Sequence, residues 1–296
     1  MSTLREIGED ALIARLVALV PRSDNPAAGP GDDCAVIDAD PQSPFVQLLK
    51  TDALVEHVHF LTEAPPRAVG WKAAARVISD FAAMGGTPAH FLITLALPAE
   101  TSVRWAEDLY RGIGDCLEKF GGLLAGGETS SVPTGSAAVI SIAATGIARR
   151  ERLVLRSTGR PGDALFVTGL LGGSLAGKHL DFTPRLLESA WLVEHFKPSA
   201  MMDLSDGLAK DLPRLAEASG CGFIIDETAL PLTPGSNTTQ ALGDGEDFEL
   251  LLAIDPAQTD QLLATWPFEI PLTRIGQLVE RGKGQNLAGG WEHFKK

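Results

Sequence analysis

The sequence predicts an α/β or α+β protein built from two domains. Short apolar segments rich in β-forming residues alternate with amphipathic helical segments along all 296 residues. That length reaches the roughly 250 to 300 residues at which single hydrophobic cores stop growing. The densest charge cluster, Arg149-Arg150-Glu151-Arg152, separates two halves of similar length. We therefore expect domains over residues 1–148 and 149–296.

The first half mixes helices and strands. Thr3 and Glu6 form a T-x-x-E capping box, which predicts a helix that continues through Leu19. Apolar spacing of three and four predicts helices over residues 66–83 and 103–120. Apolar segments of β-forming residues predict strands over residues 35–38, 45–50, 91–97 and 138–144.

The second half repeats this mixture. Strands are predicted over residues 164–168, 223–225 and 248–254, and the apolar segment 200–204 leads into the turn Ser205-Asp206-Gly207. Helices are predicted over residues 170–178, 184–195 and 256–266, and another begins at Leu208 and ends at Gly220.

Charge and cysteine content exclude several classes of protein. With 25 basic and 38 acidic side chains, the net charge of 25 − 38 = −13 disfavours binding to nucleic acid or to anionic membranes. No apolar run approaches the roughly 18 residues that a transmembrane helix needs. Three separate cysteines without a C-x-x-C pattern, Cys34, Cys116 and Cys221, argue against a disulfide framework. We expect a cytoplasmic protein.

Carboxylates at the ends of predicted strands are the most informative feature. Ligand sites of α/β proteins assemble in these loops. If several of the carboxylates converge, each pair about 4 Å apart repels by roughly 4 kcal/mol at an effective dielectric of 20. Either protons or hard divalent cations must then neutralise the cluster, and all-oxygen ligands at neutral pH favour Mg²⁺. The alternative is a set of solvated loop acids that cap helices. The residues are Asp32, Asp33, Asp52, Asp80, Glu128, Asp203, Asp206, Glu246 and Asp247.

Glycines beside these acids favour a site for Mg²⁺ and phosphate, although glycine followed by an acid is also common in turns. The segments are 29–33, 126–129 and 203–207. Two other patterns are weaker. Residues 172–178 fit G-x-x-x-x-G-K, but His179 stands where a Walker motif needs a hydroxyl. His57 and His59 could bind zinc, but no third ligand is evident.

Seven collinear segments resemble the thiamine-monophosphate kinases, which belong to a superfamily with aminoimidazole ribonucleotide synthetase and selenophosphate synthetase. The combination of SDFAAMG, DLSDGL and a His-Phe pair after the TD motif is the specific part of the resemblance. The segments are GDDCAVI from Gly31, TDALVEHVHF from Thr51, WKAAARVISDFAAMGGTPAHFLITLALP from Trp71, GGETS from Gly126, LRSTGRPGDALFVTG from Leu155, MDLSDGLAKDL from Met202 and GEDFELL from Gly245.

The resemblance implies an aminoimidazole ribonucleotide synthetase-like fold and ATP-dependent phosphorylation of thiamine monophosphate to thiamine diphosphate. It further implies a homodimer paired through the N-terminal sheet, with ATP and Mg²⁺ in a cleft that the C-terminal domain completes. The implied metal ligands are Asp32, Thr51, Asp52, Asp80, Glu128, Asp203 and Asp206. The implied ATP contacts are Phe120, Gly127, Arg156 and Ser205, and the implied substrate contacts are His59, Glu246 and Trp291.

The chemistry of phosphoryl transfer agrees with this set. An acceptor phosphate is already ionised, so metal-held alignment suffices, and we expect direct in-line transfer without a general base. Three departures from the family pattern are Glu128 in place of the usual Asp, Asp244 in place of a glycine, and short segments between Lys178 and His195 and between Leu232 and Leu242. Two alternatives stay open: a related synthetase with another phosphate acceptor, and a weakly catalytic protein that binds nucleotide or thiamine phosphate.

Overall fold

Two five-stranded sheets with helices packed against them form the protein. A computed structural model describes residues 3–21 and 30–294. Among the described residues, eight pairings join the strands of these sheets, and seven of the eight are antiparallel. The fold is therefore the α+β form of the predicted class.

The first sheet has the strand order β1-β2-β5-β3-β4. Its strands are β1 (Ala35–Ile37), β2 (Phe45–Val55), β3 (Thr87–Pro98), β4 (Leu123–Val132) and β5 (Val139–Arg149). Helices α3 (Pro66–Ala83) and α4 (Val103–Phe120) share a core with one face of this sheet. The opposite face, which we call the open face, carries the exposed side chains of Leu49, Leu92 and Ile147.

The second sheet is antiparallel throughout, in the order β7-β9-β6-β10-β8. Its strands are β6 (Ala164–Thr168), β7 (Ala200–Asp203), β8 (Cys221–Ile225), β9 (Leu250–Ile254) and β10 (Leu272–Glu280). Every residue of β6 and β9 is buried, because helices cover both faces of the sheet. The helices of this half are α5 (Lys178–Asp181), α6 (Leu186–His195), α7 (Leu208–Ala218), α8 (Thr238–Gly243) and α9 (Thr259–Thr265).

Several sequence predictions are wrong in detail. The single N-terminal helix is two helices, α1 (Leu4–Ile7) and α2 (Glu9–Val17), because Gly8 has a φ of 74° that breaks the helix. Residues 170–178 do not form a helix; a short 3-10 turn, Ser174–Ala176, precedes α5. Strands β4 and β10 and helix α8 are absent from the prediction. For β4 the reason is physical: nearly all of its residues are exposed, so the strand has no apolar alternation.

Helix α3 joins the two halves of the molecule. It packs on the first sheet and contacts α5, α6 and β7 of the second half. Trp71 Nε1 donates a hydrogen bond to the Phe182 carbonyl at 2.8 Å, and Ser79 Oγ donates to Asp203 Oδ2 at 2.6 Å. We propose the domain division at 148/149 because the last strand of the first sheet ends at Arg149. Side chains of both halves meet along α3.

None of the helices described over residues 3–21 and 30–294 is long and apolar enough to cross a membrane.

Candidate active site

Three buried carboxylates meet where α3 contacts the second half. Asp33 precedes β1, Asp80 lies near the end of α3, and Asp203 ends β7. Their candidate ligand oxygens all lie within 4.8 Å of one another. Burial, followed by the charge of Asp33, raises the pKa of Asp203 to about 7. Burial also raises the pKa of Asp80 well above its ordinary value. We call these three residues the acid cluster.

Two half-buried cations balance only part of this negative charge. Lys50 Nζ donates to Asp80 Oδ1 at 2.6 Å, and Arg156 donates from Nη2 and Nε to the two carboxylate oxygens of Asp33 at 2.6 and 3.0 Å. Three carboxylates therefore face two cations. Hard, closely spaced oxygen ligands with an unbalanced negative charge are the donor set that Mg²⁺ prefers. The acid cluster thus fits the metal that the sequence predicts.

Three other predicted ligands lie near this region but are paired with basic side chains. Burial, followed by the charge of Asp33, raises the pKa of Asp32 to about 7, although its Oδ2 accepts a hydrogen bond from the Arg156 backbone N–H at 3.0 Å. Asp52 Oδ2 lies 2.9 Å from Arg76 Nε. Asp206 Oδ2 lies 2.6 Å from Arg214 Nη1 and 3.1 Å from Lys210 Nζ. Metal binding by these three residues stays a prediction.

Two predicted ligands lie on the other side of the first sheet. Thr51 pairs with Ala143 and Glu128 pairs with Thr94, and strand alternation places both side chains on the open face. Both are exposed, whereas the neighbouring Asp52 side chain is on the helix-covered face. Within this protomer the structure does not bring Thr51 or Glu128 to the acid cluster.

Gly127 lies beside Glu128 on the edge strand β4. A Cβ atom at this position would lie 2.0 Å from the Ile93 carbonyl oxygen, so only glycine permits the parallel pairing of β3 and β4. The structure therefore supplies a packing reason for this glycine. Its predicted contact with ATP stays a prediction.

Phe120 lies at the end of α4, far from the acid cluster. Its ring packs edge-on against Trp71 with centroids 5.9 Å apart. Trp71 precedes Asp80 by nine residues on α3, which corresponds to about 14 Å along the helix axis. The predicted adenine contact of Phe120 stays a prediction.

The predicted substrate contacts do converge. His59, Glu246 and Trp291 line one cavity of about 180 Å³, together with Ser205 and Asp206. An adjoining groove of about 440 Å³ shares His59, Glu246 and Leu175 with this cavity and enlarges the space for a ligand. We call the cavity the substrate cavity.

A buried lysine that the prediction missed organises the polar side of this site. Lys72 Nζ donates to the His59 carbonyl at 2.6 Å and to Glu246 Oε2 at 2.8 Å, and lies 2.7 Å from His179 Nδ1. Two of the three ammonium protons thus have oxygen acceptors. Burial lowers the pKa of Lys72 to about 8. Burial alone would raise the pKa of Glu246, but hydrogen bonds with His179 and Lys72 lower it to about 2.

His59 is held as a neutral imidazole. Burial, followed by the charge of Arg76, lowers its pKa to about 4. Its Nδ1 accepts a hydrogen bond from the Val55 backbone N–H at 2.9 Å, so Nε2 carries the ring proton. His59 can therefore donate a hydrogen bond to a ligand in the cavity, and it cannot act as a cation at neutral pH.

Backbone hydrogen bonds connect the other segments that line the cavity. The Glu246 N–H donates to the Ser205 carbonyl at 2.7 Å, and the Trp291 N–H donates to the Asp206 carbonyl at 2.8 Å. Lys210 Nζ also donates to the Trp291 carbonyl at 2.6 Å. The turn after β7 thus fixes the segments that carry Glu246 and Trp291.

In the segment 172–178, which fits G-x-x-x-x-G-K, carboxylates of the protein itself accept hydrogen bonds from the backbone N–H groups. Asp247 accepts hydrogen bonds from the Gly172 N–H at 3.0 and 3.1 Å, and Asp244 accepts one from the Gly173 N–H at 2.8 Å. Lys178 Nζ donates to the Leu170 carbonyl at 2.7 Å. The rejection of a Walker site is consistent with this geometry. Over residues 3–21 and 30–294, the acid cluster is the one group of three acidic, His or Cys residues with metal-binding geometry, so the structure does not support zinc binding by His57 and His59.

Sequence reasoning assigned no binding role to Lys50, Lys72, Arg76 or His179, and it named Asp33 among the strand-end carboxylates without including it in the implied metal ligands. A signal existed for two of them, because Lys72 and Arg76 are charged residues at positions i and i+4 of a helix that is otherwise rich in alanine. Asp33 adjoins the predicted Asp32. Nothing local distinguishes Lys50 or His179, since their partners Asp80 and Glu246 are distant in sequence.

Comparisons with known proteins assign the family. Residues 31–148 match the N-terminal domain of AIR synthase related proteins, and residues 178–286 match the C-terminal domain. A thiamine-monophosphate kinase of Rhodopirellula baltica is 36% identical over 271 residues, which cover 86% of this chain and 84% of the relative. The chain belongs to the thiamine-monophosphate kinase family.

Two further members of this family support the assignment. The thiamine-monophosphate kinase of Synechococcus elongatus is 33% identical over 99% of this chain and 98% of its own length. The solved structure of AaThiL complexed with AMPPCP and TMP superposes with a TM-score of 0.86 at 31% identity, and the match covers 99% of both chains. The resemblance found in the sequence motifs is therefore confirmed at the level of family and fold.

Proposed function

We propose that the protein is a thiamine-monophosphate kinase, which transfers the γ-phosphate of ATP to thiamine monophosphate and releases ADP and thiamine diphosphate. The observation that carries this proposal is the placement of His59, Glu246 and Trp291 around one cavity at the junction of the two halves. The similarity to AaThiL, whose structure contains AMPPCP and TMP, supports the same pair of ligands here.

Magnesium is the proposed cofactor. Asp80 and Asp203, together with Asp33, are the residues whose burial and spacing fit the ion best. Asp32, Asp52 and Asp206 are proposed as further ligands. Bound Mg²⁺ supplies neutralisation of phosphate charge and alignment of the reacting oxygens. We also propose that Arg156 and Ser205 contact ATP, as the resemblance implies.

The residues of this chain perform binding and orientation rather than proton transfer. The acceptor is a phosphate oxygen that is ionised at neutral pH, so no general base is required. His59 is neutral and donates from Nε2, and Glu246 is ionised next to Lys72. Trp291 offers an aromatic surface to the thiamine ring. We propose direct in-line transfer, and a phosphorylated protein on the reaction path would contradict it.

A homodimer is the proposed assembly. The open face carries exposed apolar side chains, including Leu49 at 38% and Leu92 at 49% exposure, which a second copy would cover. The same contact would shield Thr51 and Glu128. We propose that residues 1–148 form the dimerisation and ATP/Mg²⁺-binding domain and that residues 149–296 complete the cleft. Free thiols at Cys34, Cys116 and Cys221 support a cytoplasmic location.

The test is a product assay with purified protein. ATP, MgCl₂ and thiamine monophosphate are incubated with the protein, and thiamine diphosphate and ADP are quantified by chromatography. Equal amounts of both products are expected, with none when EDTA replaces MgCl₂ and none from thiamine in place of thiamine monophosphate. ADP formation that depends on another acceptor would favour the related synthetase, and binding of ATP without turnover would favour the weakly catalytic protein.

A further inference from the structure

Arg76 is a buried cation in the wall of the substrate cavity. Its side chain is 14% exposed, and its guanidinium carbon lies 5.8 Å from the centroid of the Phe248 ring. Of the described residues that line the cavity, Arg76 is the only arginine or lysine. The other charged residues of the wall are acidic, or are histidines. Any anion that enters this cavity therefore has one permanently charged partner.

The hydrogen bonds of Arg76 are incomplete. Nη2 donates to Asp52 Oδ1 at 3.2 Å and Nε lies 2.9 Å from Asp52 Oδ2 in the same ion pair, but Nη1 is buried without a hydrogen-bond partner. Nη1 lies 3.8 Å from Glu246 Oε1, an atom that also lacks a hydrogen bond. Buried guanidinium donors are costly to leave unpaired. An oxygen ligand in the cavity would satisfy them.

The charges around Arg76 show what kind of ligand fits. Arg76 and Lys72 are two cations, and Asp52 and Glu246 are two carboxylates, so this group of four is neutral. If Asp52 binds a metal ion, as predicted, its negative charge is shared with that ion and Arg76 lacks a full counter-charge. A dianionic phosphate restores the balance, and a guanidinium binds phosphate oxygens through two parallel donors.

We propose that Arg76 binds the phosphate of thiamine monophosphate and thereby distinguishes it from thiamine. This inference rests on the proposed function and adds a residue to it. It assigns the phosphate end of the substrate to Arg76, one helical turn from Lys72 and one from Asp80 on the same face of α3. The thiamine ring then occupies the side of the cavity formed by Trp291.

The test is calorimetric titration of thiamine and of thiamine monophosphate, with MgCl₂ and without ATP. The quantity compared between variants is the dissociation constant of thiamine divided by that of thiamine monophosphate. For Arg76→Met this ratio is expected to fall by about 10- to 100-fold, because hydrogen bonds to a charged group contribute this much to affinity. Only thiamine monophosphate loses these hydrogen bonds, since thiamine has no phosphate. A structural role for Arg76 would weaken both ligands alike, and an unchanged ratio overturns the inference.

Arg185→Met is the matched control. Arg185 is 12% exposed and donates two hydrogen bonds to Glu249. Without Arg185, Glu249 still has Lys178 as a nearby cation, as Glu246 still has Lys72 when Arg76 is replaced. This variant is expected to lose thermal stability and to keep the binding ratio. If Arg76→Met does not fold, Arg76→Lys carries the test, because it keeps the charge and loses the planar fork; a partial fall supports the inference and an unchanged ratio overturns it. Wild-type protein that does not bind thiamine monophosphate would overturn the proposed function as well.

Discussion

Replacement of Asp203 by Asn should stabilise the metal-free protein while it removes the response to Mg²⁺. Two carboxylates 4.8 Å apart, the spacing limit within the acid cluster, repel by about 3.5 kcal/mol at an effective dielectric of 20. Part of this gain is offset, because Lys50 and Arg156 lose an attractive charge. Asparagine can still accept the hydrogen bond from Ser79. We expect a net gain of about 3 kcal/mol, or roughly 6 °C in Tm for a chain of this size.

The gain should depend on pH with a defined sign. In the folded protein the pKa of Asp203 is about 7, above its ordinary 3.8, so its ionisation destabilises the fold as pH rises through this window. Asparagine does not titrate. The difference in unfolding free energy between variant and wild type should therefore be near zero at pH 4 and complete above pH 7.

Thermal unfolding followed by circular dichroism, in EDTA and in MgCl₂, measures both effects. Wild-type protein should gain about 2.7 kcal/mol when Mg²⁺ is at 100 times its dissociation constant, and Asp203→Asn should lose most of this gain. Asp163→Asn is the control, since Asp163 is also buried and accepts a hydrogen bond from the Arg160 N–H but lies outside the acid cluster. An Asp203→Asn protein that is less stable than wild type in EDTA, or that keeps the full Mg²⁺ response, would refute the reasoning.

Three further variants test other parts of the site. Trp291→Ala should raise the KM for thiamine monophosphate about tenfold and that for ATP less than twofold, and equal effects in steady-state kinetics would contradict stacking on the thiamine ring. Asp244→Gly removes the acceptor of the Gly173 N–H and should raise the KM for thiamine monophosphate by a few fold with kcat unchanged. An unchanged KM would show that Asp244 does not order the side of the cavity that Leu175 forms. Gly127→Ala should lower the unfolding free energy by at least about 2 kcal/mol in urea, because its Cβ meets the Ile93 carbonyl, and wild-type stability would refute this.

The parts of the fold with strong periodicity were predictable from the sequence. Helices α3 and α4 have the bounds that the apolar spacing predicts, 66–83 and 103–120. Strand β4 was not predictable, because its stability comes from pairing with β3 rather than from apolar side chains of its own. The helix predicted over 170–178 failed because hydrogen bonds from its backbone to Asp244 and Asp247 hold the segment as a loop.

The carboxylates of the site could be predicted from the sequence, because several of them follow or precede predicted strands. Strand-end carboxylates such as Asp203 predict a cation site, and the structure brings Asp203 together with Asp33 and Asp80, while metal binding itself stays a prediction. The counter-charges are different, because Arg156 reaches Asp33 across 123 positions and Lys72 reaches Glu246 across 174. Only the folded chain shows which base neutralises which acid. The same holds for Thr51 and Glu128, whose side of the sheet depends on strand register.

The order of charged residues along α3 agrees with the order in which the proposed reaction needs its groups. Lys72, Arg76 and Asp80 follow at intervals of four, so they lie on one face over about 12 Å. Lys72 holds Glu246 at the substrate end, and Asp80 belongs to the acid cluster at the metal end. In the proposed in-line transfer, the acceptor phosphate oxygen faces the γ-phosphate of ATP, so the acceptor phosphate lies between the thiamine ring and the phosphates of ATP. Arg76 lies between the two ends, where we propose that it binds the acceptor phosphate.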